Sequence, residues 1–322
     1  MPLHKINGQW INYEDTGGNG APLVLAHGLL MDHEMFAPQI EARSSDCRII
    51  TWDARCHGET ETTDDAFNYW DLADDLRGLL DHLGIQKAVI GGMSQGGFVA
   101  LRFALQYPDR VSGLILLSTQ AGAEDPDKVA TYEAMLEVWE EGGLNDQLAE
   151  AIAAIILGNN WPGREIWIAK WQQWTRSLLR PAFQALVGRE DLHHRLGEIS
   201  APAMVIHGTA DAAIDMELAQ RLCSGLANCQ PLIEIEGAGH ACNLTHPKLV
   251  NLAVQQFLGE LALRTPRVVE RRTDGRRSDV ERRSAERREL VRATAGRRVV
   301  YSIDRRTAER RGLELYSSWS GV

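Results

Sequence analysis

Gly92-Met93-Ser94-Gln95-Gly96 reads G-x-S-x-G. It stands between an apolar run, Lys87-Ala88-Val89-Ile90-Gly91, and a helical pattern over residues 98–107. A serine flanked by glycines at a strand-to-helix turn is driven into a strained backbone conformation. The small neighbours let the chain bend sharply and leave the hydroxyl exposed above the sheet. Such a pentapeptide also arises by chance, so its weight comes from its surroundings.

Those surroundings extend both ways. Downstream, His207-Gly208-Thr209-Ala210-Asp211 follows an apolar run at 203–206, and Gly237-Ala238-Gly239-His240 follows another at 232–235. Upstream, Leu23-Val24-Leu25-Ala26-His27-Gly28-Leu29 is a buried-strand pattern that closes in His-Gly. Ser94, Asp211 and His240 therefore come in the chain order Ser…Asp…His, unlike chymotrypsin- or subtilisin-like enzymes. On these residues the chain resembles the α/β-hydrolase superfamily, specifically its small soluble carboxylesterase- and lactonase-like members, over about residues 5–262. The resemblance implies an α/β-hydrolase fold: a mostly parallel central sheet, helices on both faces and an inserted helical cap.

The hydrophobic rhythm agrees with that class. Apolar runs alternate with helix-length amphipathic segments, as expected for a sheet covered on both faces. Strands are expected near 10–13, 23–26, 48–52, 87–91, 114–117, 204–207 and 231–235, the first pairing antiparallel at an edge. Helices are expected near 69–83, 95–106, 216–225 and 247–261. Between 117 and 203 the strand rhythm stops. The expected organisation is a core over 1–122, a cap of three or four helices over 123–196, more core over 197–263, and an Arg-rich tail over 264–322 expected to be disordered. The tail repeats arginine pairs with few large apolar residues, too few to build a core.

Charge is divided unevenly. Residues 1–263 hold 17 Lys/Arg against 35 Asp/Glu, whereas 264–322 hold 17 arginines against nine acids. The acidic body argues against a nucleic-acid or anionic membrane partner. In the tail, acids interleave the arginines and no aromatic stacking platform accompanies them. The start, Met1-Pro2-Leu3-His4-Lys5-Ile6-Asn7, lacks a basic region followed by an apolar stretch, so no secretory signal is expected. No run nears the roughly 18 apolar residues of a membrane helix. Cys47, Cys56, Cys223, Cys229 and Cys242 are odd in number and lack zinc-type spacing. They are expected to be reduced thiols of a cytoplasmic enzyme.

Serine is a poor nucleophile at neutral pH because its hydroxyl is almost never ionised. His240 would take its proton and return it to the leaving group, while Asp211 would hold the imidazole in the right tautomer. Asp215, four residues on, competes for the acid role but reads better as a helix N-cap before Met216. His193, His194, His207 and His246 are weaker histidine candidates, since none follows a strand through a Gly-x-Gly turn. The family pattern implies an oxyanion hole made by the backbone N–H groups of Gln95 and Leu29. His27 is expected to shape that loop. Asp53-Ala54-Arg55-Cys56-His57-Gly58 resembles the Asp-x-Arg-Gly-His-Gly turn of many relatives, with Cys56 where glycine is common. If that position needs a positive φ, the cysteine strains it.

The cap carries Trp139, Trp161, Trp167, Trp171 and Trp174, five of the nine tryptophans. The spacing of 167, 171 and 174 predicts one shared helix face. For any single tryptophan cap-to-core packing is the favoured reading, yet together Trp139, Trp161, Trp167 and Trp171 are candidates for a partly aromatic lining of an apolar substrate pocket. The expected activity is hydrolysis of a small apolar carboxylic ester or lactone through an acyl-enzyme, with no cofactor and no metal. Carbon–carbon hydrolysis and perhydrolysis on the same triad stay open. So do a non-catalytic receptor on the same fold and assembly into a homo-oligomer.

Overall fold

A computed structural model describes residues 3–174, 179–264 and 299–301. Nine strands form one sheet: β1 (Leu3–Ile6), β2 (Gln9–Asp15), β3 (Ala21–Ala26), β4 (Cys47–Trp52), β5 (Ala88–Met93), β6 (Val111–Leu117), β7 (Ala203–Gly208), β8 (Ile233–Ile235) and β9 (Val299–Tyr301). Their spatial order is β1-β2-β4-β3-β5-β6-β7-β8-β9. β1 and β2 run antiparallel to their neighbours, and every later pairing is parallel. The antiparallel strand expected at the edge is β2. It lies one place inside it, because Leu3–Ile6 adds a further strand too short and too polar to read from the sequence. The tail falls outside the described residues except for Val299–Tyr301, which form β9 beside β8.

Ten helices accompany the sheet among the described residues: α1 (Ala37–Arg43), α2 (Tyr69–His82), α3 (Gln95–Gln106), α4 (Pro126–Gly142), α5 (Asp146–Ile156), α6 (Arg164–Gln173), α7 (Arg180–Val187), α8 (Met216–Gly225), α9 (Cys242–Thr245) and α10 (Pro247–Arg264). Strand residues alternate between two cores, as the pleat requires. Val24, Ala26, Ile50, Trp52 and Ile90 pack with α2, α3 and α8 on one face. Leu23, Leu25, Ile49, Val89 and Met93 pack with α10 and the inserted helices on the other. α4 to α7 all fall between β6 and β7 in the chain.

Helix ends follow local chemistry. Asn68 caps α2 through a capping box with Asp71, so its side chain and that of Asp71 satisfy orphan N–H groups reciprocally. Asn145 caps α5 and Asp125 caps α4 in the same way, though singly. Asp215 sits at the N-cap of α8 in extended backbone but forms no side-chain capping bond. The expected N-cap thus holds in position and not in hydrogen bonding.

β5 runs into α3 through Ser94, whose φ of 51° and ψ of −113° lie where an L-residue is strained. Two glycines make that turn possible. A Cβ on Gly96 would stand 1.9 Å from the Ala26 carbonyl oxygen, and one on Gly92 would stand 2.1 Å from the Gly96 backbone. Cys56 also adopts a positive φ, 64°, so the strain expected there is present.

The cysteine expectation needs one correction. Cys223 and Cys229 are joined by a disulfide that bridges the end of α8 to the approach of β8. Both lie near Gln230 at the chain's return to the sheet, where Cys223 and Cys229 are close enough in sequence for the loop to bring them together. Cys47, Cys56 and Cys242 are free and buried. No helix among the described residues is long and apolar enough to cross a membrane, and no group of three or more His, Cys, Asp or Glu among them is placed to hold a metal.

The turn at Ser94 yields a stability test. Gly96→Ala forces the backbone of β3 away from α3 and should cost about 1–3 kcal/mol or more, as overpacked cores do. Gly259→Ala, at an exposed position of α10 with nothing within 4 Å of the added Cβ, should stabilise by up to about 1 kcal/mol. Urea unfolding of both variants checks the contrast, and equal stabilities would contradict it.

Candidate active site

Ser94, Leu29 and His240 line one cavity at the carboxyl ends of the strands, with a volume of about 740 Å³ counted to its open mouth. Each arrives on a different segment. Ser94 follows β5, Leu29 lies in the loop after β3, and His240 follows β8. The Ser94 N–H donates to the Leu117 carbonyl at 2.9 Å, and the Thr119 hydroxyl donates to the Ser94 carbonyl at 2.7 Å. The strained residue is therefore held by β6 as well as by its own helix.

Asp211 stands behind His240. Its Oδ2 lies 2.8 Å from His240 Nδ1, while Oδ1 accepts the N–H groups of Ala213 at 2.8 Å and Ile214 at 3.0 Å. Burial by itself would raise the carboxyl's pKa. The neighbouring His240 and His207 and the Ile214 N–H outweigh it, and Asp211 is held below the usual carboxylate range. Asp215 is exposed on the next helix, so of the two carboxylates only Asp211 reaches His240. Ser94 Oγ and His240 share the cavity without a hydrogen bond between them.

The loop after β3 can be accounted for donor by donor. Gly28 N–H points at Met35 Sδ at 3.4 Å, Leu30 N–H donates to His57 Nε2 at 3.3 Å, and Met31 N–H donates to the Gly28 carbonyl at 3.1 Å. Leu29 N–H has no acceptor among the described residues. Gln95 N–H, at the first position of α3, has none either, as expected of a helix's first turn. The Gln95 side chain is turned inward, where its Oε1 accepts from the Tyr69 hydroxyl at 3.3 Å.

Two histidines brace that loop. His27 Nε2 accepts the Ala54 N–H at 2.9 Å while its Nδ1–H donates to the Gly28 carbonyl at 2.8 Å. His57 Nδ1–H donates to the Arg55 carbonyl at 2.9 Å, leaving Nε2 for Leu30. Both rings are neutral in this pattern and pack at 4.9 Å between centroids. Burial lowers the pKa of each, that of His57 to about 3.

Trp139, Trp161, Trp167 and Trp171 do not line the cavity. Trp139, Trp167 and Trp171 are buried in the core shared by the inserted helices and the sheet, and Trp161 packs against it. Packing explains their number, because ring area is most valuable where a small helical layer must seat on a sheet. Trp171 also has a polar task, since its indole N–H donates to the Leu30 carbonyl. Beside it, Lys170 pairs with Asp32 and Glu34. Trp174 ends α6 in extended backbone, so it does not continue the face of Trp167 and Trp171.

The cavity wall is instead aliphatic and sulfur-rich, with Met31, Met93, Met135, Ile152 and Ile156. Sequence reading missed Gln120, Glu124, Tyr132 and Arg189 in it, because no motif marks polar residues that meet only after α4 and the neighbouring loops have folded. It also ranked His207 low. That ring is fully buried, with Nε2 at 2.8 Å from the Ile214 carbonyl and 3.3 Å from Asp211 Oδ2. Its place one residue before Gly208, four before Asp211, was the available signal. Cys242 is sealed off, its thiol pushed up to about 12 by burial, and it is no nucleophile at neutral pH.

Comparison with known proteins agrees with this fold. A family model described as the alpha/beta hydrolase fold matches residues 21–155. A solved thermophilic esterase from Thermogutta terrifontis is 28% identical with a TM-score of 0.75, covering 81% of this chain and 99% of that one. A solved enol-lactonase from Burkholderia xenovorans is 25% identical with a TM-score of 0.73, covering 80% and 100%. A 2-hydroxy-6-oxononadienedioate/2-hydroxy-6-oxononatrienedioate hydrolase from Paraburkholderia phymatum is 27% identical over 274 residues, 78% of this chain and 91% of the relative. The chain is therefore similar in fold to α/β hydrolases, a solved esterase and a solved enol-lactonase among them.

The buried neutral histidines fix a pH dependence. Below a pH of about 6.5 an unfolded histidine binds a proton that folded His57 refuses until about pH 3. The unfolded state therefore gains protons, and stability falls as pH drops, by about 1.4 kcal/mol per pH unit for each such ring. His57→Gln should remove about that much slope between pH 6 and 4 in urea unfolding. An unchanged slope would mean the ring protonates in the folded protein.

Proposed function

We propose that the chain is a serine hydrolase of carboxylic esters or lactones, working through an acyl-enzyme on Ser94, His240 and Asp211. The observation that carries this reading is the joint geometry: Asp211 at 2.8 Å from His240 Nδ1, with His240 facing the same cavity as the strained Ser94. With Nδ1–H donating to Asp211, His240 Nε2 is left as an acceptor for the serine proton.

The steps follow from those positions. Substrate enters with its carbonyl beside Ser94, and its side groups lie against the methionine and isoleucine wall. His240 takes the hydroxyl proton as Oγ attacks. The new imidazolium is stabilised by the Asp211 carboxylate, which stays ionised because its own hydrogen bonds favour the charged form. Negative charge builds on the former carbonyl oxygen. Leu29 and Gln95 N–H, the two donors left over by the surrounding network, are in place to receive it, and the start of α3 adds its partial positive charge. His240 then protonates the leaving alkoxide. Water repeats the sequence on the acyl-enzyme and frees Ser94. A lactone takes the same path, its leaving group remaining tethered to the acyl chain.

Two experiments test the assignment. Ser94→Ala should abolish turnover of p-nitrophenyl esters while leaving thermal unfolding in place, and a fluorophosphonate should label Ser94 alone. Asp211→Asn should lower kcat by several orders of magnitude, whereas Asp215→Asn, lacking any capping bond to lose, should stay within about twofold. Labelling elsewhere, or the reverse order of the two carboxylates, would overturn the reading. Trp171→Phe keeps an aromatic ring at the site but removes the indole N–H that donates to Leu30. If Trp171 positions the loop carrying Leu29, kcat should fall about tenfold with KM nearly unchanged, the pattern of an interaction made in the transition state. An unaltered kcat would leave Trp171 a packing residue only.

A further inference from the structure

The Ser94 cavity carries several polar side chains besides Ser94 and His240 in a wall that is otherwise largely aliphatic. Gln120 ends the segment that follows β6, two residues after Ser118 and next to Thr119, whose hydroxyl holds the Ser94 carbonyl. It is only 5% exposed, lines the cavity, and its amide has no hydrogen-bond partner among the described residues. Tyr132 on α4 and Arg189 after α7 line the same cavity, Gln120 and Arg189 both meet Gly122, and the charges of Glu124 and Arg189 act on the Tyr132 phenol. Arg189 is almost fully used: Nε donates to the Gly122 carbonyl at 3.0 Å, and Nη1 reaches Glu124 at 2.7 Å and the Leu186 carbonyl at 2.9 Å. Its Nη2 has no partner among the described residues. The Tyr132 hydroxyl has none either, and burial pushes its pKa up to about 12, so it stays protonated.

The Gln120 amide opens on the cavity, so a ligand that enters an otherwise apolar space must complete its hydrogen bonding or leave it unmet. Three groups with hydrogens to donate converge here: the Gln120 amide, the Tyr132 phenol and Arg189 Nη2. They call for an oxygen acceptor. The charge on that oxygen is set by Glu124, whose side chain is 6% exposed against 1% for Arg189. Their pair is already neutral, so a ligand carboxylate would bring an unbalanced second anion beside Glu124 in an apolar cavity. A neutral carbonyl satisfies the donors without that repulsion.

The reach is short. The Arg189 guanidinium lies 4.5 Å from the Phe98 ring centroid, and Phe98 stands four residues after Ser94, about one helical turn. We infer that the cavity selects esters or lactones carrying a second, uncharged carbonyl a few bonds from the reacting one, held by Gln120, Tyr132 and Arg189. This rests on the hydrolase reading of the same cavity.

The probes are p-nitrophenyl 4-oxopentanoate, 5-oxohexanoate and 6-oxoheptanoate against the matching alkanoates, with acetate esters of the corresponding oxo-alcohols and alkanols for the opposite side. In at least one matched pair the wild type should favour the oxo compound about tenfold in kcat/KM. It should also disfavour the p-nitrophenyl monoester of glutarate, which places a carboxylate there. Gln120→Leu should lower the oxo-to-alkyl ratio about tenfold, and Tyr132→Phe should lower it less. Turnover of every ester with no preference in the wild type would overturn this inference alone. A preference that survives Gln120→Leu in a variant with normal thermal unfolding would also overturn it. Absence of turnover on all esters would overturn the hydrolase reading and this one with it.

Discussion

Everything at the catalytic end depends on how closely α3 approaches the sheet. Gly96 lies against the Ala26 carbonyl and Gly92 against Gly96, so helix and strands meet with no side chain between them. That contact lets the chain reverse within one residue, and it puts Ser94 at a φ of 51°. The strain is not relieved locally. It is held by the Leu117 carbonyl, the Thr119 hydroxyl and the buried face of α3. A strained residue persists where its surroundings over-determine it, and here three separate elements do so.

Around that point the polar groups are arranged so that charge is scarce. His27 and His57 serve as neutral struts, each using one nitrogen to accept and one to donate. Asp211 carries the one negative charge next to His240 and is supplied with two backbone N–H groups to keep it there. Farther along the cavity, Glu124 and Arg189 cancel each other. A cavity built in this way carries little uncompensated charge besides that of Asp211.

The sequence disclosed what was written in short range. The strands over 23–26 and 204–207 were legible as short apolar runs, and the helices starting at 69, 95, 216 and 247 as helix-length amphipathic segments between such runs. β1 was not, since four residues with two polar ones give no period, and α1 was hidden behind a proline and a short span. At the site, Ser94, Asp211 and His240 were legible because each ends a strand in a glycine-bearing turn. The tryptophans were misplaced because helical spacing reveals that residues share a face but not what that face meets. Gln120, Tyr132 and Arg189 were invisible, since their meeting depends on how α4 and α7 fold back over the sheet.

The tie between α6 and the loop after β3 bears on how this protein can change. Inserted helices in such folds look like an exchangeable module, free to be swapped for new specificity while the chemistry stays below. Here Trp171 holds the Leu30 carbonyl and Lys170 grips Asp32 and Glu34, so the module is wired to the loop that carries Leu29. Transplanting a foreign cap would remove those struts along with the old pocket. Divergence in substrate choice is therefore steered toward α4 and α7, which shape the cavity, and away from α6, whose inheritance is bound to that of the core.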